Sequence, residues 1–126
     1  MDPSSPEERL LLVFKALAEA NRLKILGLLS QNPHTGEQLA ALLDLKPSTI
    51  SHHLARLRHA NLVRAEAESY YSVYHLEADS LEAIARQLTS RETLAGLANA
   101  ADRDAYARMR RDPAGGRGRK HRDADA

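Results

Sequence analysis

The chain is organised around the stretch KPSTISHHLARLRHAN, residues 46–61, and its pattern predicts a helix. Pro47 suits the first helical position, because its missing N–H would have no partner there and its φ is already helical. Asn61 suits the end of the helix, because asparagine tolerates the left-handed conformation of a helix stop. At about 100° per residue, one apolar stripe is formed by Ile50, Leu54 and Leu57.

The opposite face of this helix is polar and carries no carboxylate. It holds Ser48, Ser51, His52, Ala55, Arg56 and His59. Short hydroxyls, imidazoles and a guanidinium can enter a DNA groove without repelling phosphates. A polar face that is merely solvated is the common alternative, and this helix alone does not exclude it.

The residues on either side of this helix predict a winged helix-turn-helix. Thr35 and Gln38 form a capping box that opens a helix over 36–43, and three residues join that helix to the next one. The pair is expected to be held at a fixed angle by Leu39, Leu42, Leu45 and Ile50. After Asn61 the apolar period changes to two, which predicts a hairpin of two strands over 62–67 and 70–76. Packing is the favoured role for its tyrosines, which are Tyr70, Tyr71 and Tyr74, although stacking on bases is conceivable.

Further helices flank this unit. Ser5 and Glu8 form a capping box for a first helix, whose apolar residues cover more than half of its circumference and favour contact with a partner subunit. Asn21 is predicted to cap a core helix over 22–30. Asp79, with Glu82, is predicted to cap a helix over 80–88, and residues 91–111 continue as a weaker helix.

The fold class is therefore mainly α (α+β): a winged helix-turn-helix with a two-stranded β-wing between N- and C-terminal helices. Residues 1–5 are expected to form a flexible N-terminus, 6–100 the DNA-binding and dimerisation domain, and 101–126 a helical extension with a disordered basic tail. No apolar run approaches the roughly 20 residues that span a bilayer, so no membrane partner is expected. The start of the chain lacks the features of a secretory signal, and a cytoplasmic location is expected.

The absence of cysteine and the distribution of charge limit the classes of function that the chain can have. The chain has no cysteine, which excludes disulfides and thiolate metal sites. Residues 105–126 carry a net charge of +4, so residues 1–104 carry −3. A mildly acidic body is unlike a strong nonspecific DNA binder, whose affinity comes mainly from phosphate neutralisation.

The chain closely resembles the ArsR/SmtB family of bacterial winged-helix repressors. The resemblance covers residues 10–88 and rests on three runs: FKALAEANRLKIL at 14–26, LAALLDL at 39–45 and STISHHLARL at 48–57. Residues 61–63 and the strand that ends at 74–76 match as well.

The resemblance implies a homodimer, paired through the first helix and the helix after the wing, that represses transcription at a palindromic operator. We expect double-stranded DNA to be contacted by Lys46, Ser48, Thr49, Ser51, His52, Arg56 and Arg64. We expect the dimer interface to include Leu10, Leu11, Phe14, Leu81, Ile84 and Leu88.

The chain departs from the metal sites of the family. One site uses cysteines on the first helix of the pair, where residues 36–40 have none. Another needs Asp and His on the helix after the wing; Asp79 remains, but residues 80–97 contain no histidine. We therefore expect no metal and no cofactor. His53, at the flank of the apolar stripe, is expected to be a packed, hydrogen-bonded histidine.

Two other departures concern DNA and leave alternatives open. The wing tip at 66–69 is acidic, where the family usually carries basic residues, and Ala55 stands where a long basic side chain is common. A protein-interaction module with weak or no DNA binding is the alternative function. An enzyme is set aside, because no catalytic spacing or phosphate loop is present. A small organic effector near Phe14 and the helix after the wing is left open.

Overall fold

The elements predicted from the sequence are present in the computed structural model, which describes residues 5–111 apart from the side chain of residue 100. In chain order they are α1 (Pro6–Leu17), α2 (Ala20–Gln31), β1 (His34–Thr35), α3 (Gly36–Leu43), α4 (Pro47–His59), β2 (Val63–Glu68), β3 (Tyr71–Leu76), α5 (Ala78–Thr89) and α6 (Arg91–Arg111). The mainly helical winged helix-turn-helix class is confirmed. No described helix combines the length and the apolar character needed to cross a bilayer.

Both predicted capping boxes form. At the start of α1, the Glu8 N–H donates to the Ser5 hydroxyl at 3.1 Å, and the Ser5 N–H donates to the Glu8 carboxylate at 3.3 Å. At the start of α3, Thr35 and Gln38 make the same exchange at 3.1 and 2.9 Å. Each box provides acceptors for N–H groups that have no partner inside the helix.

Two predicted helix starts are wrong. Glu19, not Asn21, caps α2, because the helix begins at Ala20 and the Glu19 carboxylate accepts the Arg22 N–H three residues further on at 2.9 Å. The helix after the wing begins at Ala78, so Asp79 lies within its first turn and does not cap it. The turn is closed instead by the backbone carbonyl of Glu77.

The predicted two-stranded wing is confirmed as the β2-β3 hairpin, and it is part of a three-stranded antiparallel sheet in the order β1-β3-β2 whose first strand was not predicted. The short β1 pairs His34 with Tyr74 and Thr35 with Val73. Two residues show no periodicity, so this strand could not be predicted from the pattern of residues. Because Thr35 also caps α3, β1 fixes the start of that helix beside the wing.

The apolar core is formed by the four helices α1, α2, α3 and α4 together with the start of β2. Its buried side chains include Val13, Ile25, Leu29, Leu39, Ile50, Leu54, Leu57, Leu62 and Val63. Leu45 packs partly against this core, but Leu42, predicted to help hold the helix pair, is exposed on the outer side of α3. The angle between α3 and α4 therefore depends on Leu39, Leu45 and Ile50.

Left-handed residues stand at both ends of the α4 segment. Asp44 (φ 56°) ends α3, where the Leu45 N–H donates to the Ala40 carbonyl at 3.0 Å. Asn61 (φ 61°) follows α4, which confirms its prediction as a helix stop, and the next N–H, that of Leu62, donates to the Leu57 carbonyl at 2.9 Å. The α4 segment is thus closed at both ends by local backbone geometry.

The chain divides into two compact units, Met1–Gln87 and Leu88–Ala126. The winged helix-turn-helix lies in the first unit, and α6 lies in the second. The expected domain boundary at residue 100 stays a prediction. The expected flexible start (1–4) and disordered tail (112–126) lie outside the described residues.

Candidate nucleic-acid interface

The outer face of α4 has the composition that the sequence predicted. Its exposed side chains are Ser48, Ser51, His52, Ala55, Arg56, Arg58 and His59, with Lys46 exposed just before the helix and Thr49 half-buried. No carboxylate lies between Pro47 and His59, and the last turn is basic. Lys46 makes no side-chain cap bond, so the first N–H groups of α4 have no side-chain acceptor. Such a helix start is suited to a phosphate oxygen.

The inner face of α4 fixes how this outer face is presented. Ile50, Leu54 and Leu57 are fully buried in the core. His53 is only 7% exposed and hydrogen-bonded, as predicted for a packed histidine. Because four buried residues spread over about two turns hold the helix, its rotation about its own axis is determined.

The bond to His53 comes from Arg22, a residue that the sequence analysis assigned no role. The Arg22 guanidinium donates from Nε to the Ala16 carbonyl at 2.6 Å and from Nη2 to the Lys15 carbonyl at 3.4 Å. Its third nitrogen, Nη1, lies 3.3 Å from His53 Nδ1. A guanidinium cannot accept, so Nδ1 is the acceptor and the neutral ring carries its proton on Nε2. Arg22 therefore links the end of α1 to α4.

The electrostatics of this site favour a neutral His53. Burial lowers the pKa of His53, and the nearby charges of Arg22 and His52 lower it further. The Glu19 carboxylate, 3.9 Å from Nε2, opposes this shift. The pKa of Glu19 is itself lowered, chiefly because it accepts the Arg22 backbone N–H. The partners are up to 34 residues apart in sequence, so local patterns could not reveal the cluster.

On the wing, the predicted DNA contact Arg64 is already paired. Its guanidinium lies 3.0 Å from Glu66 and 3.2 Å from Glu77, and the hydrogen bond to Glu66 is the main reason that its pKa is raised. His75 Nε2 lies 3.2 Å from the other Glu66 oxygen. A phosphate contact from Arg64 would have to compete with two carboxylates.

The wing tyrosines do not share one role. Tyr74 packs partly against the core, as expected. Tyr70, at the hairpin turn, is fully exposed, and Tyr71 is 51% exposed, so the packing interpretation was wrong for these two. The turn places them beyond the end of the apolar core, a position that strand propensity does not register.

The predicted dimerisation residues fall into three groups. Leu11 and Phe14 on α1 are 48% and 40% exposed, and Leu88 at the end of α5 is also exposed. Leu81 and Ile84 pack partly against the core. Leu10 is buried within its own chain, so it has little surface to offer a partner.

A cavity of about 450 Å³ lies between α1, the end of α4 and α5. Leu12, Val13 and Ile84 line its apolar walls, and the Asn61 amide donates to the Ser80 hydroxyl at 3.2 Å on its polar side. Within residues 5–111, no group of three or more His, Asp or Glu side chains is placed to hold a metal ion.

An exposed polar helix without carboxylates, set beside a β-wing, is typical of winged helix-turn-helix DNA-binding proteins. A profile of the bacterial regulatory proteins of the ArsR family matches residues 19–65. The transcriptional activator HlyU of Vibrio cholerae is 34% identical over 73 residues, which cover 58% of this chain and 68% of HlyU. The transcriptional regulator KmtR of Mycobacterium tuberculosis is 33% identical over 75 residues, and the match spans 58% of its length.

Solved structures show the same architecture. The homodimeric winged helix-turn-helix DNA-binding domain of Mb0332 from Mycobacterium bovis is 32% identical, with a TM-score of 0.58 over 62% of this chain and 73% of that domain. NolR from Sinorhizobium fredii is 32% identical, with a TM-score of 0.57 over 71% of this chain and 94% of NolR. The chain belongs to the ArsR family of bacterial regulatory proteins and is a DNA-binding transcriptional regulator.

The lowered pKa of His53 predicts an acid-sensitive fold. Below the ordinary histidine pKa of 6.5, the unfolded chain binds a proton here that the folded chain resists, so stability should fall as the pH drops below about 6.5 toward the lower pKa of the folded chain. Thermal unfolding across this range would measure the effect. His53→Asn, whose side-chain oxygen can still accept from Arg22, should flatten the pH dependence. The exposed control His59→Gln should not, and an unchanged slope in the His53 variant would contradict the assignment.

Proposed function

We propose that the protein is a homodimeric repressor that places α4 of each copy in successive major grooves of a palindromic operator. The observation that carries this proposal is the exposed, carboxylate-free face of α4, held in a single rotation by its buried inner face. A major groove about 12 Å wide admits one helix, and polar side chains on that helix can meet base edges. The protein therefore acts by binding rather than by catalysis, in the cytoplasm where bacterial DNA lies.

Within this face, the side chains have different tasks. We assign base contacts to Ser48, Ser51, His52 and Arg56, and phosphate contacts to Lys46 and Thr49. Arg56 is the residue able to bind the guanine edge with two hydrogen bonds. Arg64 ranks below it, because its guanidinium is already held by Glu66 and Glu77.

The proposed dimer rests on the apolar side chains that α1 leaves uncovered. Leu11 and Phe14 are exposed on a helix whose other side is already buried in the core. Large exposed apolar residues on one helix face are typical of a subunit interface. The homodimeric state of Mb0332 supports the same arrangement here. Two copies would present two α4 helices, as a palindrome requires.

Footprinting on genomic fragments tests the operator. We expect protection of two inverted half-sites centred about 10 base pairs apart, because each copy of α4 reads one turn of the duplex. Transcription from the protected promoter should fall when the protein is added. A rise would contradict repression while leaving DNA binding intact, a real alternative because the relative HlyU is described as an activator. Failure to protect any fragment would contradict the whole proposal.

Removing the Arg56 guanidinium should weaken operator binding. We expect Arg56→Ala to cost about 1–3 kcal/mol and to relax the preference at one base pair. Arg64→Ala is the matched control, since it removes the same group from a paired position and should cost less. Titrations on the mapped operator and on single-base variants measure both effects. Equal losses for the two variants would refute the distinction between them.

A charge placed at the apolar face of α1 should separate the subunits. Phe14→Glu would bury an unpaired carboxylate in the proposed interface, so the variant should sediment as a monomer. Leu23→Glu, at an apolar position on α2 that is also exposed, serves as the control and should leave the dimer intact. Analytical ultracentrifugation distinguishes the two states. A dimeric Phe14→Glu variant would place the interface elsewhere.

A further inference from the structure

The contact between Arg22 and His53 exists only while the imidazole is neutral. Nδ1 of His53 accepts from Arg22 Nη1 at 3.3 Å, and a proton on Nδ1 would turn this acceptor into a donor. A guanidinium has no lone pair to offer, so two positively charged donors would then face each other. A proton on Nδ1 and the hydrogen bond from Arg22 therefore exclude each other.

The guanidinium of Arg22 is held in place by its other bonds. Its Nε donates to the Ala16 carbonyl at 2.6 Å and its Nη2 donates to the Lys15 carbonyl at 3.4 Å, which ties it to the end of α1. A cation is also favoured at a helix C-terminus, where the last carbonyls carry partial negative charge. If His53 were protonated, the side that yields would therefore be the imidazole and the helix that carries it.

The other nitrogen of the ring faces a carboxylate. Oε1 of Glu19 lies 3.9 Å from His53 Nε2, which is too long for a hydrogen bond but close enough to become one after a small movement. An imidazolium would be attracted to Glu19 and repelled by Arg22. Because His53 is buried, water cannot solvate the new charge where the ring now lies.

The position of this ring is coupled to the orientation of α4. His53 is packed on the buried side of the helix, three residues before the exposed Arg56, so a displaced ring shifts the helix as well. A rotation of α4 by about 15° would move groups about 6 Å from its axis by about 1.5 Å. Hydrogen bonds to base edges do not survive such a displacement, because donor–acceptor distances vary by only a few tenths of an ångström.

We propose that a proton on His53 releases the protein from its operator, so that α4 reads DNA only while His53 is neutral. The inference rests on the proposed binding of α4 in the major groove and adds the proton as a ligand that regulates it. In each copy of the dimer, the proton competes with Arg22 for Nδ1. The regulator would then respond to acidification of its surroundings.

The groups around the ring place this release below neutral pH. Among the described residues, three charged or titratable groups act on His53: Glu19 from the connection before α2, Arg22 from α2 and His52 from α4 itself. Burial is the main reason that the pKa of His53 lies below 6.5; Arg22 and His52 lower it further, and Glu19 opposes them. The folded chain therefore keeps His53 neutral at neutral pH, and the release requires acidification below pH 6.5.

Titrations of the full chain against the footprinted operator, at a series of pH values, test the proposal. Each copy binds DNA in the form that lacks this proton, so affinity should fall by up to about tenfold per copy for each pH unit below the pKa of folded His53. Exposed histidines such as His59 act in the opposite direction, because an imidazolium attracts phosphates. Salt screens that attraction but not the buried contact, so the acid-induced loss should be clearest at high salt.

Three variants assign the effect to this cluster. His53→Asn offers Arg22 an acceptor that cannot be protonated, so it should bind the operator at neutral pH and keep its affinity in acid. Glu19→Gln retains an oxygen for the Arg22 backbone N–H but loses the charge that favours the imidazolium, so its release should shift to lower pH. His59→Gln is the matched control, an exposed histidine on the same helix, and it should retain the acid-induced loss.

Far-UV circular dichroism on the same samples distinguishes release from unfolding. Loss of binding with an unchanged helical signal, abolished in His53→Asn and shifted in Glu19→Gln, is the expected result. The same loss in His53→Asn as in the wild type, a wild-type affinity that does not fall in acid at high salt, or a loss that coincides with melting of the helices would overturn the proton site and leave the proposed function intact.

Two further outcomes complete the test. If His53→Asn does not fold, the Glu19→Gln profile decides, and a release at the wild-type pH would overturn the proposal. A wild-type protein that binds no specific site at neutral pH would overturn the proposed function itself, and the proton site with it.

Discussion

The position of α4 against the end of α1 depends on one guanidinium, that of Arg22. Arg22 satisfies two carbonyl groups at the end of α1 and, with its remaining nitrogen, holds His53 on the buried side of α4. A cation is favourable at a helix C-terminus, because the unpaired carbonyls there carry partial negative charge. The same cation therefore stabilises α1 and anchors the recognition helix. Glu19 completes the cluster by capping α2, so three helices meet at one polar point beside the apolar core.

The two sides of α4 have different roles. Apolar packing and the Arg22 bond use its inner side, whose side chains are buried. The outer side is then free to carry only small, imidazole or basic side chains. The acidic character of residues 1–104 lies outside this helix, for example on the outer face of the wing. We therefore expect affinity for DNA to come from specific contacts more than from net charge.

The features that depend on local chemistry could be predicted from the sequence. The boxes at Ser5 and Thr35, Pro47 at the first position of α4 and the stop at Asn61 all depend on neighbours within a few residues. Features that depend on distant partners could not be predicted. Strand β1 exists because His34 meets Tyr74, Arg22 matters because it meets His53, and Arg64 is engaged because Glu77 lies across the hairpin. None of these pairs has a periodic signal, and the exposure of Tyr70 follows only from where the core ends.

The stop at Asn61 also has a mechanical consequence. The Leu62 N–H is held by the helix and its carbonyl accepts from Glu77 beyond the hairpin, while its side chain is fully buried. Helix α4 and the wing are thus connected rigidly through Leu62 and must move together as one rigid body. A residue inserted at this connection would change the orientation of the wing relative to α4. Extra length at the hairpin tip, around Ser69, would be absorbed in solvent, so natural variation in wing reach should accumulate there.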